Sequence, residues 1–361
     1  MIVFRADGNP DIGSGHIMRC LAIADAAVEA GKRCLFITAD ADFEDVITGH
    51  GHGHEILQTD AADLSYELKR IKKLLSFYHP KVLFIDSYYV TCDYLESLYR
   101  LCREIRCLLV YIDDVAAFAY PCDILVNYNI YGPEMRTEYE RLYKEENRKI
   151  PQLFLGPEFA PLRTEFCNIQ NRVLKRDVQN ILISTGGSDP EHMSLRMIEK
   201  IKEYRDTGQN PKVYFHFVVG KMNDDKKIIE GMTQDIPCIV LHYNVSDMSR
   251  LMQSCDIAIS AAGSTLYELC ATQTPGVTYI LADNQIPGAK GFESHGVLKN
   301  CGDIRQVSPE ELAGKLLEEA VKLAKNYNER VRISIKMKKI TDGYGSMRII
   351  ERILTHFIWQ T

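Results

Sequence analysis

Several large classes of protein are excluded by what this chain lacks. Its 361 residues hold one tryptophan and carry a net charge of −6, so there is no general basic field for a nucleic acid backbone. No nucleic acid partner is expected, and any phosphate must be bound locally. No stretch reaches the roughly 18 to 20 apolar residues that cross a bilayer, so no membrane insertion is expected. Eleven cysteines are present, yet none forms a Cys-x-x-Cys pair, and several sit in apolar runs such as Cys34-Leu35-Phe36-Ile37. An odd number of scattered thiols argues against a disulfide or zinc framework and suits reduced, buried side chains in a cytoplasm. The opening Met1-Ile2-Val3-Phe4-Arg5 lacks a basic region before an apolar stretch, and reads as a first strand rather than an export signal.

What is present is the composition of a globular protein, 46% hydrophobic and 25% charged, in a chain long enough for two domains. Short apolar runs at 2–5, 34–38, 82–85, 108–112, 124–126 and 153–155 read as strands in the first half. Those at 180–184, 214–219, 238–241, 257–260 and 277–281 read as strands in the second. They are continuous rather than alternating, as in strands covered on both faces. Helical patterns intervene at 17–30, 63–77, 190–203, 246–254 and 308–324. Strand–helix repetition predicts an α/β fold of two doubly wound, Rossmann-like domains with a ligand cleft between them. The pattern restarts near residue 180 after a polar stretch, which sets domains at 1–165 and 166–361. The amphipathic segment 347–359 is expected to pack back on the first domain.

The first strand runs into Asp7 and then Asp11-Ile12-Gly13-Ser14-Gly15-His16. From about His16 a helix opens, with Ile17, Leu21, Ala24 and Val28 on its apolar face and Gly31 as its stop. Gly13 and Gly15 let a ligand approach amides at a helix N-terminus, where anions are favoured. At the same position the helix dipole favours a neutral His16 ring, which suits a general base acting on water. The third glycine of a Gly-x-Gly-x-x-Gly dinucleotide fingerprint is missing. In the second half, Thr185-Gly186-Gly187-Ser188-Asp189-Pro190 follows a strand, with Asp189 expected as N-cap and Pro190 as the first helical residue. Ala262-Gly263-Ser264-Thr265 follows another strand and opens a helix with two hydroxyls, and Glu268 on its first turn can accept both hydroxyls of a ribose. Asp283-Asn284-Gln285 follows a third. Three such turns together point to a nucleotide diphosphate.

Three features are set aside. His50, His52 and His54 alternate with glycines and in an extended segment share one side, as a metal site requires, but a Gly-rich turn before a strand is the reading adopted. Asp113-Asp114 is assigned to orienting nearby loops rather than to acid–base chemistry. Lys69, Arg70, Lys72 and Lys73 form a solvated helix face. No metal or cofactor is expected.

A series of motifs occurs in order: Asp7; Gly13-Ser14-Gly15-His16 with Arg19; Ile85-Asp86-Ser87-Tyr88; Tyr111-Ile112-Asp113-Asp114; Gly156-Pro157-Glu158-Phe159-Ala160-Pro161-Leu162-Arg163; Gly186-Gly187-Ser188-Asp189; Gly263 to Glu268; Asp283-Asn284-Gln285. This series, covering most of residues 1 to about 290, resembles the UDP-2,4-diacetamido-2,4,6-trideoxy-β-L-altropyranose hydrolases of pseudaminic acid biosynthesis. Those proteins share the glycosyltransferase-B architecture and resemble the lipid II N-acetylglucosamine transferase. The resemblance implies hydrolysis of a UDP-sugar at its anomeric C1–O bond, with His16, Tyr88 and Asn284 as the catalytic and sugar-lining residues. It implies that Gly15, Gly187, Ser188, Ser264, Thr265, Glu268 and Gln285 hold UDP, and that Asp7, Asp86 and Arg163 support the sugar side. A glycosyltransferase using the same donor and a separate acceptor is the alternative. A binding module without chemistry is a third reading, against which the retained His16 argues.

Overall fold

A computed structural model describes residues 1–9, 13–206 and 213–358, so Asp11, Ile12 and Trp359 lie outside the described residues. The chain forms two compact units, Met1–Thr164 with Gly343–Thr361, and Glu165–Asp342. Along the first unit run β1 (Ile2–Ala6), α1 (Gly15–Glu29), β2 (Cys34–Thr38), α2 (Glu44–Gly49), β3 (Gly53–Ile56), α3 (Leu64–Tyr78) and β4 (Val82–Asp86). Then follow α4 (Cys92–Glu104), β5 (Leu108–Ile112), β6 (Ile124–Asn127), α5 (Arg136–Glu145) and β7 (Gln152–Leu155). Its seven strands are all parallel, in the order β3-β2-β1-β4-β5-β6-β7. The continuous apolar runs explain why: β1, β2, β4, β5 and β6 are buried along their whole length. On one face Phe4 stacks between Phe36 and Phe84 at 5.0 and 4.8 Å, each its neighbour in register. On the other, Val3, Ile37, Leu83, Ile85 and Leu109 share a buried core with Ile71, Leu75 and Leu98.

The second unit runs β8 (Asn180–Ser184), α6 (Met193–Asp206), β9 (Tyr214–Val219), α7 (Lys226–Thr233), β10 (Ile239–Tyr243), α8 (Met248–Ser254) and β11 (Ile257–Ala261). It continues through α9 (Thr265–Ala271), β12 (Gly276–Ile280), α10 (Ile286–Ser294), β13 (Leu298–Asp303), α11 (Pro309–Lys325) and α12 (Tyr327–Met337). Six parallel strands lie in the order β10-β9-β8-β11-β12-β13. In both sheets the first strand has its successor on one side and a later strand on the other. The topological switch points therefore fall between β1 and β4 and between β8 and β11. Loops at the carboxyl ends of those strand pairs diverge, which is where doubly wound sheets hold ligands. Among the described residues no helix is long and apolar enough to cross a membrane.

Two local readings need correction. Pro190 is not the first residue of a helix: α6 starts at Met193, and Asp189 reaches across the intervening turn to accept from the Met193 and Ser194 amides at 3.0 and 2.9 Å. β13 was not expected, because Lys299, Asn300 and Gly302 interrupt its apolar pattern where the edge strand meets solvent.

The last helix, α13 (Gly345–Ile358), belongs to the first unit and packs on α1. Ser346 Oγ donates to the Leu162 carbonyl at 3.0 Å, and the Arg352 guanidinium lies 4.6 Å from the Phe159 ring centroid. A methyl group on Gly345 would meet the Ala160 carbonyl oxygen at 2.1 Å, so only glycine allows this approach. Gly345→Ala should therefore lower stability by about 1–3 kcal/mol, read as a fall in the thermal unfolding midpoint. An unchanged midpoint would mean that α13 docks less tightly than its geometry indicates.

Candidate active site

The first switch point builds an extended buried polar cluster. His16 is the second residue of α1, following β1, and Asp86 ends β4, the strand beside it. Strand order thus brings together two residues seventy positions apart in sequence. His16 Nδ1 lies 2.6 Å from Asp86 Oδ1, with both side chains almost wholly buried. Arg19, one helical turn beyond His16, clasps the same carboxylate through Nε and Nη2, both at 2.5 Å. Its Nη1 reaches Tyr128 Oη at 2.8 Å and Asp114 Oδ2 at 3.1 Å. Asp114 also accepts from Tyr88 Oη at 2.6 Å and Asn129 Nδ2 at 2.8 Å. Tyr88 in turn stands edge-on to the His16 ring at 4.6 Å. One guanidinium therefore ties the residue that holds His16 to the residue that holds Tyr88.

Burial works to raise the Asp86 pKa, but Arg19 and His16 outweigh it and hold the carboxyl well below the usual carboxylate range. Asp114 is likewise below its ordinary value: burial is overcome by Arg19 and by the Tyr88 hydrogen bond. Burial also opposes the Arg19 charge, and Asp114 with Asp86 lifts its pKa well above the usual value. Asp86 is thus an ionised acceptor facing His16 Nδ1, which Arg19 Nη2 also approaches at 3.1 Å. A neutral ring with its proton on Nδ1, shared with Asp86, would keep the lone pair on Nε2, the requirement for taking a proton from water. The helix dipole is only part of this electrostatic setting, since the Asp86 carboxylate is the nearer and larger charge.

The other candidates in this unit separate into two groups. Gly15 opens α1, exposed and with no heavy atom within 4 Å of where a Cβ would sit, so a ligand can approach it. Asp7 is held in the interior. Its Oδ1 accepts from the Ala39 amide at 2.7 Å, and its Oδ2 lies 2.6 Å from the buried Arg5, which also pairs with Glu67. Arg163 stands half-buried beside Leu162, whose carbonyl Ser346 grips. Asp113 accepts from the Val115 and Ala116 amides and from Tyr120 and Tyr139, and so anchors its loop.

In the second unit, the remaining candidates line the carboxyl ends of β8, β11 and β12. Gly186 and Gly187 are exposed; Gly186 has φ +99°, and Gly187 is pressed on Gly220, where a Cβ would lie 2.1 Å from the Gly187 oxygen. Ser188 follows, half-buried. Ser264 stands at the N-cap position of α9 without a side-chain cap hydrogen bond, Thr265 is the first residue of the helix and Glu268 sits on its first turn. Gln285 accepts from the Leu281 amide at 2.9 Å, and its Nε2 lies 4.0 Å from a Cβ position on Gly263, so the loops after β11 and β12 abut. Asn284 is exposed beside it.

Arg19 carried a signal in its spacing from His16 but had been given no role, and Asp114 was visible as half of an acidic pair. Tyr128 and Asn129, at the end of β6, carried none, because only the strand order brings them near.

Residues 180–343 match the family model described as the glycosyltransferase family 28 C-terminal domain. The chain is 34% identical over 223 residues to a Helicobacter pylori protein named pseudaminic acid cytidylyltransferase and UDP-2,4-diacetamido-2,4,6-trideoxy-beta-L-altropyranose hydrolase; the match covers 60% of this chain and 37% of that protein. A Campylobacter jejuni hydrolase named for the same UDP-sugar is 28% identical over 74% of this chain and 86% of its own. The Bacillus subtilis spore coat polysaccharide biosynthesis protein SpsG is 23% identical over 95% of both chains. The chain spans 56% of the length of a Methanocaldococcus jannaschii relative, to which it is 26% identical. The solved structure of the kitacinnamycin glycosyltransferase aligns over 98% of both chains, with a TM-score of 0.60 and 16% identity. The fold is therefore that of the glycosyltransferase-B proteins, with two Rossmann-like α/β domains. Within that class, the chain is similar in sequence to these named UDP-sugar hydrolases, to the spore coat protein and to a Caldicellulosiruptor saccharolyticus undecaprenol-linked N-acetylglucosamine transferase.

The depressed Asp86 pKa has a consequence for stability. A carboxylate whose pKa is lower folded than unfolded stabilises fully above about pH 5, and this contribution fades as pH falls through its folded value. Asp86→Asn should cost about 3–5 kcal/mol near neutrality by leaving Arg19 short of a charge partner. It should also flatten the loss of stability between neutral and acid pH, measured by denaturant unfolding. Parallel pH profiles for variant and wild type would contradict an ionised Asp86.

Proposed function

We propose that the protein hydrolyses a UDP-linked diacetamido-trideoxy sugar, releasing UDP and the free sugar for pseudaminic acid biosynthesis. The observation that carries this reading is the His16–Asp86 pair, in which an ionised carboxylate lies 2.6 Å from Nδ1; a proton held there makes Nε2 the acceptor. Relatives named as hydrolases of that UDP-sugar support the substrate class. In the proposed step, water attacks the anomeric carbon as His16 Nε2 takes one of its protons. The bond between C1 and the β-phosphate oxygen breaks, and its electron pair leaves with UDP. A diphosphate is already a good leaving group, so the carboxylate pair of ordinary glycosidases is not needed. Tyr88 and Asn284 are assigned to the sugar. Gly15, Gly187, Ser188, Ser264, Thr265, Glu268 and Gln285 are assigned to UDP, where amides and hydroxyls at strand ends offset the growing negative charge.

The family 28 domain and the glycosyltransferase fold favour a second reading, transfer of the sugar to an acceptor. One assay separates the two: incubation with the UDP-sugar and no acceptor, following UDP. Hydrolysis predicts many turnovers without acceptor and a fall of roughly 10²–10⁴-fold in kcat for His16→Ala. An absolute acceptor requirement would overturn hydrolysis in favour of transfer. Rates untouched by His16→Ala would remove its role as base.

A second variant probes the nucleotide end. Gly220→Ala forces the Gly187 carbonyl to move and should weaken UDP binding by about tenfold in calorimetry. Gly314→Ala, whose added methyl meets nothing nearer than a lysine side chain at 4.0 Å, should leave it unchanged. Equal affinities for the two variants would take Gly187 out of the UDP site.

A further inference from the structure

The three alternating histidines do not share one side. His54, in β3, turns its Nε2 to Thr38 Oγ1 at 2.7 Å. His50 and His52 instead converge on Asp25 of α1: His50 Nδ1 lies 2.9 Å from Oδ2 and His52 Nε2 lies 2.9 Å from Oδ1. All three donor groups fall within 4.8 Å of one another. Between the histidines, Gly51 takes φ +78°, a left-handed conformation that favours glycine and sets the two rings side by side at 6.1 Å. His52 is buried against Phe36, with ring centroids 5.6 Å apart. Its Nδ1 has no hydrogen-bond partner among the described residues, so its polar engagement is through Nε2 toward Asp25. Asp25 and His50 keep 26% and 33% of their side chains exposed, which gives solvent a path to the cluster.

We propose that Asp25, His50 and His52 bind one divalent transition-metal ion, zinc being the best fit. Two imidazoles with one carboxylate form a borderline-soft donor set, suited to zinc and cobalt and poor for magnesium or calcium, which prefer oxygen alone. Zinc–ligand bonds of about 2.0–2.2 Å place tetrahedral donors about 3.4 Å apart. The observed separations bracket that value, so modest side-chain rotation completes the site. Water takes the remaining position. The ion acts as a clip joining the later half of α1 to the turn before β3, closing the intervening β2 segment. Asp25 lies nine residues along α1 from His16, about 14 Å by helical rise, so the clip is separate from the base.

The test uses untagged, metal-stripped full-length protein titrated with Co²⁺ and then Zn²⁺. One equivalent should bind per chain, give the visible bands of low-coordinate Co²⁺, yield to Zn²⁺ and raise the unfolding midpoint by about 3 °C or more. His50→Ala and Asp25→Asn should each weaken binding by about tenfold or more and abolish the bands, with circular dichroism confirming the fold. If Asp25→Asn misfolds, the solvent-facing His50→Ala decides alone. Wild-type protein that takes up no stoichiometric metal, or a His50→Ala variant that binds as tightly as wild type, would overturn the site.

Discussion

The arrangement at the first switch point depends on one buried carboxylate. Asp86 ends the strand beside β1 and there meets both His16 and Arg19, which the first two turns of α1 deliver to it. Without that anion, Arg19 would be a buried cation with Asp114 as its remaining partner, and the His16 ring would lose what orients its Nδ1. A buried ion pair of this kind is not a reliable source of stability, since desolvation consumes much of the attraction. Its value lies in definition: the bidentate clasp by Arg19 leaves the carboxylate one orientation, and the ring inherits it. Arg19 extends the same order through Asp114 to Tyr88.

Beneath this cluster lies a second buried ionic group, Asp7, Arg5 and Glu67, with Tyr94 donating to the glutamate. It ties β1 to α3 and, through the Ala39 amide, to the end of β2. The loop that leads from β1 to His16 therefore springs from an anchored strand end. Preorganisation of this kind fixes the direction in which the His16 ring is held. In the second unit the analogous strand ends carry glycines, hydroxyls and amides, groups suited to holding an anion.

Much of the fold was legible in the chain because strands buried on both faces must be continuously apolar. The runs at 34–38, 108–112, 180–184 and 214–219 end where the strands do. The edge strand β13 escaped for the converse reason, since Lys299 and Asn300 face outward there. Within the site, His16 stood out by its place after two glycines, and Asp86 and Tyr88 by their motif. Their mutual roles did not, because the His16–Asp86 pairing spans seventy residues and the Arg19–Tyr128 contact 109, and both follow from strand order. The interior partner of Asp7 was hidden for a related reason, since only the fold turns Arg5 inward on that strand to meet it.

In the proposed site, Asp86 fixes the proton of His16 on Nδ1 and leaves Nε2 bare. Nitrogen-15 NMR of ring-labelled histidine in mildly alkaline solution tests it most directly, with His16→Gln used to assign the signal. The expected result is a protonated, pyrrole-type Nδ1 and an unprotonated, pyridine-type Nε2 for His16, with this preference weakened in Asp86→Asn. A wild-type His16 carrying its proton on Nε2 would contradict it.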